Sequence, residues 1–365
     1  MVTLYVTFVA LSAVIVAAAM LLAKFGDEIS DQTGLGDSVT GLVLLAGATS
    51  LPELSVGYSA IQLPGGGEDL TAGGVLGSSL VNLLILALVD LISRKPGHIL
   101  TRSAAEHALS ATVGALLTGL ILLGILLDNP WQFWAVGPCS WAVIIAYAFC
   151  ARLIYLDERL SAEDRESDDD EKVEKSVSKL LLSFGGFIAA TAVIFVVAPM
   201  VASRADEIAA VTGLGQTFIG TLLVATVTSL PEAVATIAAV RLGAVDMAIG
   251  NIFGSNAFNM VIFAVLDFAT DGSILDTVSE THAITAACVL ITTAIGLMCI
   301  LYKPAKRWWL FEPDAALIAM FVVLALYLVY LKGQTSDAVE VVPQNSSMSS
   351  PENGSPSLEP APGVS

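Results

Sequence analysis

The stretch Gly47-Ala48-Thr49-Ser50-Leu51-Pro52-Glu53 decides the reading of this chain, because it returns as Thr226-Val227-Thr228-Ser229-Leu230-Pro231-Glu232. Each copy sets an acid, two hydroxyls and a proline inside a long apolar run. An ionisable residue at membrane depth is costly to keep there, so by default it marks function. Two such acids at matching places in two halves point to one site built by internal symmetry.

The surrounding composition supports the membrane setting. Of 365 residues, 55% are hydrophobic and 14% charged, against about 25% charged in a soluble domain. The first apolar run, Met1 to Ala23, has no basic leader and no small-residue cleavage site before Lys24, so it reads as a retained helix. Cys139, Cys150, Cys288 and Cys299 form no CxxC or Cys/His cluster; they read as small buried hydrophobes rather than metal ligands or a disulfide framework. A net charge of -18 argues against a nucleic-acid partner. The lipid bilayer is the expected surroundings, and the sequence says nothing about oligomeric state.

Runs of about 20 apolar residues are long enough to span a bilayer. They occur at residues 2–24, 38–62, 69–92, 104–127, 131–152, 180–203, 213–240, 244–269, 281–302 and 314–332. The expected fold class is therefore an all-α integral membrane protein with ten transmembrane helices. Residues 156–179, including Asp168-Asp169-Asp170-Glu171, read as a charged connector, and 333–365, rich in Ser, Pro and Glu, as a disordered tail. With both termini outside, 14 of the 16 Lys and Arg residues fall in inside loops, leaving Arg204 and Lys332. The positive-inside rule thus places the 156–179 connector in the cytoplasm of a multi-pass cell-membrane protein.

The repeat reaches well beyond the acid motif. Thr33-Gly34-Leu35-Gly36 matches Thr212-Gly213-Leu214-Gly215, and Gly77-Ser78-Ser79-Leu80-Val81-Asn82 matches Gly254-Ser255-Asn256-Ala257-Phe258-Asn259. Asp90 matches Asp267, and His107 matches His282. The expected units are residues 1–155 and 180–332, each a five-helix repeat. An odd helix number inverts the second unit relative to the first, and inverted repeats with a midplane site are typical of secondary transporters.

Thr49, Ser50 and Glu53 share one helix face, as do Thr228, Ser229 and Glu232. Ser78 and Asn82 lie one turn apart, as do Ser255 and Asn259. Pro52 and Pro231 lack an amide proton, which loosens the carbonyls around Ala46 to Ala48 and Ala225 to Val227 for cation contact. The donor set is all oxygen, which suits hard cations; calcium takes about 6–8 such ligands. Without nearby sulfur or imidazole, zinc and copper are disfavoured. Two glutamates neutralise one divalent ion, and the same cage can instead hold monovalent ions.

The paired Thr-Ser-Leu-Pro-Glu and Gly-Ser-x-x-x-Asn motifs resemble the two alpha-repeats of the cation/calcium exchanger superfamily, over essentially all ten expected helices. That resemblance implies a sodium/calcium antiporter, not an enzyme, that works by alternating access and needs no cofactor. It implies that Glu53 and Glu232 are the central calcium and sodium ligands. Thr49, Ser50, Thr228, Ser229, Ser78 and Ser255 then add oxygens, Ala46 and Ala225 add carbonyls, and Asn82 and Asn259 complete the cage. Some prokaryotic members carry Asp where this chain has Asn259, so the cage here has two carboxylates, not three. Gly74 and Ser79 stand where the second half has Asn251 and Asn256, so the halves are not equivalent.

Several features have plainer readings. Asn82 and Asn259 can simply bond helix to helix. Asp90, Asp267, His107 and His282 read as residues near helix ends, and the acidic connector lacks an EF-hand pattern. Calcium/proton exchange on the same scaffold, with protons loading Glu53 and Glu232, stays open as the nearest alternative. An intramembrane hydrolase using the paired glutamates lacks a nucleophile–base pair.

Overall fold

The computed structural model describes residues 1–62, 67–92, 104–127, 131–134, 136–165, 176–212, 225–270, 272–301 and 313–340. It is helical, apart from an isolated bridge between Phe133 and Val136. Helix α1 spans Val2–Thr33; residues 37–49 form α2, which is broken from α3, Leu51–Ile61. Then follow α4 (Glu68–Ile92), α5 (Ala104–Leu126), α6 (Pro138–Arg165), α7 (Val177–Thr212), α8 (Leu230–Leu242), α9 (Val245–Leu266), α10 (Thr281–Leu301) and α11 (Pro313–Glu340).

Eight spans among the described residues are long and apolar enough to cross a bilayer, with 37–61 counted as one. The expected span at 213–240 lies partly outside the described residues. The one at 314–332 lies in α11, whose Ala315–Val329 stretch is apolar but shorter.

Several helices outlast their apolar runs. Helix α1 continues nine residues past Lys24 and stops at Gly34, whose φ of 69° is the left-handed conformation that suits glycine. Helix α6 runs to Arg165, into the segment expected to be a connector, because Leu, Glu, Arg and Ala after Leu156 are good helix formers in water. It starts only at Pro138, where a missing amide proton costs nothing in the first turn. Helix α11 likewise continues past 332 into the expected tail, whose residues 341–365 lie outside the described set.

Burial sorts the spans into a centre and a rim. In α9, 72% of the apolar window is buried, against 22% in α6 and α7. Lipid supplies little hydrophobic drive between helices, so small residues and close backbone contact hold such a centre together. Gly41, Gly250 and Gly254 supply that contact between α2 and α9. A Cβ on Gly254 would lie 2.5 Å from the Leu42 carbonyl oxygen and 2.8 Å from the Ala46 Cβ. One on Gly250 would lie 2.9 Å from the Ser38 oxygen, and one on Gly41 would strike the Met247 carbonyl. Residues 40–45 of α2 adopt the wider π-helical turn beside this contact.

Candidate cation-binding site

The chain breaks in the same way at both acid motifs. Ser50 has φ -86° and ψ 3°, and Ser229 has φ -81° and ψ 4°, each just before a helix with proline in its first turn. Glu53 and Glu232 therefore sit in the first turns of α3 and α8, where the helix dipole favours negative charge. Ala46 and Ala225 carbonyls accept the Ser50 and Ser229 amides at 3.0 and 3.1 Å. They also accept the Thr49 and Thr228 hydroxyls at 3.3 and 3.1 Å. In this arrangement both carbonyls already have two donors. The carbonyls four residues before the prolines are those of Ala48 and Val227.

The twelve expected site residues are each at most 3% exposed. Hydrogen bonds join them across the two halves. The Ser78 hydroxyl donates to Glu53 Oε1 at 2.8 Å and lies 2.6 Å from Ser229 Oγ. The Ser50 hydroxyl donates to Glu232 Oε1 at 3.2 Å. Thr49 Oγ1 lies 3.4 Å from Ser255 Oγ.

The cage has spare acceptors. Glu53 Oε2, Glu232 Oε2, Asn82 Oδ1 and Asn259 Oδ1 are buried with no hydrogen-bond donor among the described residues. A buried acceptor without a donor costs about 1–3 kcal/mol, more when charged. A hard cation satisfies oxygens of this kind, and two carboxylates match the charge of one divalent ion. No group of three or more His, Cys, Asp or Glu among the described residues makes a conventional metal cluster.

A cavity of about 370 Å³ reaches Glu53 and Thr228 between α3, α4 and α7, past Gly57, Thr71, Gly74 and Pro199. The positions that match Gly57 and Gly74 in the second half are Thr236 and Asn251. There two polar side chains stand in place of the glycines. Asn251 Nδ2 donates to Thr236 Oγ1 at 2.9 Å and to the Glu232 carbonyl at 3.3 Å, while its Oδ1 accepts from Thr49 Oγ1 at 3.4 Å. Ala235, Ala239, Met247 and Ala248 are fully buried in one apolar cluster with Ala19 and Leu22 of α1.

Residues singled out with less emphasis fall elsewhere. Asp267 is fully buried at the end of α9. Its carboxylate accepts the Ile274 amide at 2.6 Å and the Gly137 amide at 3.1 Å, so it anchors loops. Asp90 is also buried, two residues before the end of α4. His282 faces Asp69 at 3.4 Å, and the side chain of His107 lies outside the described residues. Sequence reading gave no role to Ser79, Thr236, Asn251 or Asn256. The signal lies in the mismatch of the last two with Gly74 and Ser79, for which a symmetric cage leaves no obvious reason.

Comparison with known proteins fits this architecture. Residues 3–156 and 182–336 match the family described as sodium/calcium exchanger protein, so the chain belongs to that family. It is accordingly a multi-pass membrane antiporter and not an enzyme. The sodium/calcium exchanger MaX1 of Methanosarcina acetivorans is 28% identical over 340 residues, 84% of this chain and 93% of that protein. The inner membrane protein YrbG of Escherichia coli is 27% identical over 269 residues, 73% of this chain and 79% of its own. Structures of the sodium-calcium exchanger NCX_Mj share the fold with a TM-score of 0.65 at 19% identity, covering 90% of this chain and 99% of theirs.

Proposed function

We propose that the protein exchanges calcium for sodium across the cell membrane by alternating access, through ten spans arranged as two inverted five-helix repeats. The carrying observation is the pair of buried glutamates, each with one carboxylate oxygen held by a serine and the other without a donor. Two fixed charges in a shell of neutral oxygens hold one calcium ion, or more than one sodium ion, but not both loads together. That exclusivity couples the two fluxes. Glu53, Glu232, Ser50, Ser78, Ser229, Thr49, Thr228, Ser255, Asn82 and Asn259 are the proposed ligands. The Ala46 and Ala225 carbonyls join them once a Thr hydroxyl turns away.

The cavity supports a state open at the Ser59 end of α3, with Asn251 and Thr236 filling the matching positions of the second half. With the amino terminus outside, as the loop charges support, the open side is extracellular. Sodium competition for bound calcium tests the shared cage. Radioactive calcium on purified protein is expected to be displaced by sodium at constant pH. Displacement by protons and not by sodium would favour calcium/proton exchange instead.

A further inference from the structure

A cation can use only one end of an amide. Asn82 and Asn259 must turn their oxygens to the ion, yet an amide in a polar setting can rotate to present its NH2 instead. Four buried groups on α4 and α9 govern that choice.

The order of donors starts at two backbone carbonyls, which can only accept. The Ser79 hydroxyl donates to the Val75 carbonyl at 3.1 Å. Its proton is thereby committed, so Ser79 Oγ offers only lone pairs to its neighbours. Asn259 Nδ2 donates into it at 3.1 Å and to the Val75 carbonyl at 3.4 Å. Likewise Asn256 Nδ2 donates to the Ser79 carbonyl at 3.2 Å, which leaves Asn256 Oδ1 to accept Asn82 Nδ2 at 3.1 Å. All four side chains are at most 1% exposed, so water does not compete. The result is that Asn82 Oδ1 and Asn259 Oδ1 are the ends left without a donor.

The arrangement is reciprocal between the halves. Ser79 and Asn256 occupy matching positions, and each holds the amide of the opposite half. We infer that Ser79 and Asn256 are positioning residues for the cation cage: they fix the NH2 ends of Asn259 and Asn82 so that both carbonyl oxygens serve the transported ion. This rests on the cation-exchange reading above and adds a reason why the cage works with Asn at 259. A carboxylate needs no such orientation, since both of its ends are oxygen.

That difference gives the test, a double-mutant cycle read by radioactive calcium binding to the purified full chain. Ser79→Ala is expected to weaken calcium binding about tenfold, the scale of one lost hydrogen bond to a ligand. In an Asn259→Asp background the same change is expected to weaken binding less than about twofold. Ser79→Thr, which keeps the hydroxyl, should restore wild-type binding. The parallel cycle, Asn256→Ala with and without Asn82→Asp, repeats the measurement on the other half if one variant fails to fold. Equal losses in both backgrounds would mean that Ser79 only packs, and would overturn the inference while leaving the exchange reading intact. Wild-type protein that binds no calcium would overturn the exchange reading, and this inference with it.

Discussion

The hydroxyl of Ser78 sits 2.6 Å from that of Ser229, so the two halves of the chain meet hydroxyl to hydroxyl beside Glu53. The contact joins α4 of the first half to the helix break of the second. Removing it with Ser78→Ala takes away a donor to a buried carboxylate and a proposed ligand at once. The expected outcome is a calcium affinity lower by about tenfold or more, since a hydrogen bond to a charged group is worth about 1.5–3 kcal/mol. Titration calorimetry on the purified variant measures this; an unchanged affinity would remove Ser78 from the cage.

Glu53→Gln and Glu232→Gln keep shape but each remove one of the two charges that match a divalent ion. Each is expected to abolish calcium exchange in proteoliposomes while the purified variant still elutes as a single folded species. Exchange that survives in both would rule out the proposed site.

Calcium should stabilise the folded wild-type protein, because the cage exists only when the helices are packed. At about 100 times the dissociation constant the gain is about 2.7 kcal/mol. A calcium-dependent rise in melting temperature is expected for wild type and not for Glu232→Gln. An equal rise in both would place the calcium somewhere else.

The close approach of α2 and α9 makes Gly254 intolerant of a side chain. Gly254→Ala puts a methyl 2.5 Å from the Leu42 carbonyl, and the forced separation should cost about 1–3 kcal/mol. Gly74→Ala, with nothing within 4 Å of its Cβ, should leave the melting temperature near wild type. Thermal unfolding of the two variants side by side distinguishes a packed helix pair from a loose one.

Gly57 and Gly74 line the cavity, whereas Thr236 and Asn251 fill the matching positions of the second half, and this difference predicts a bias. In a cysteine-free background, Ser59→Cys lines the cavity and should react with a membrane-impermeant thiol reagent added on that side. Ala239→Cys, fully buried, should not react from the opposite side. Adding Asn251→Gly removes the clasp on Thr236 and should speed labelling of Ala239→Cys several-fold. Unchanged protection would show that Asn251 does not hold that path shut.

Much of this was legible in the residues because membrane-spanning sequence is simple in the ways that matter. Length and apolarity fix the helices, and an acid such as Glu53 in an apolar run has few structural excuses. Repetition then paired Glu53 with Glu232 and Ser78 with Ser255 without any coordinates. Helix ends were less legible: α1 and α6 continue past their apolar runs, which an apolar count does not see, and Ile29 and Ser30 of α1 are still buried there. The polar residues around the cage were hidden for another reason. Whether Asn251 clasps Thr236 or Asn256 turns Asn82 depends on which helices cross. That crossing rests on glycines 41, 250 and 254; Gly250 and Gly254 read from the sequence as points of close helix approach, but the partner helix they meet does not.

The central claim is that sodium and calcium compete for one cage and so drive each other across the membrane. It is tested most directly by calcium efflux from calcium-loaded proteoliposomes under an inward sodium gradient at equal pH on both sides. Sodium is expected to drive efflux, and a pH gradient without sodium is not. Efflux driven by the pH gradient alone, or calcium leaving with no counter-ion gradient, would contradict the account.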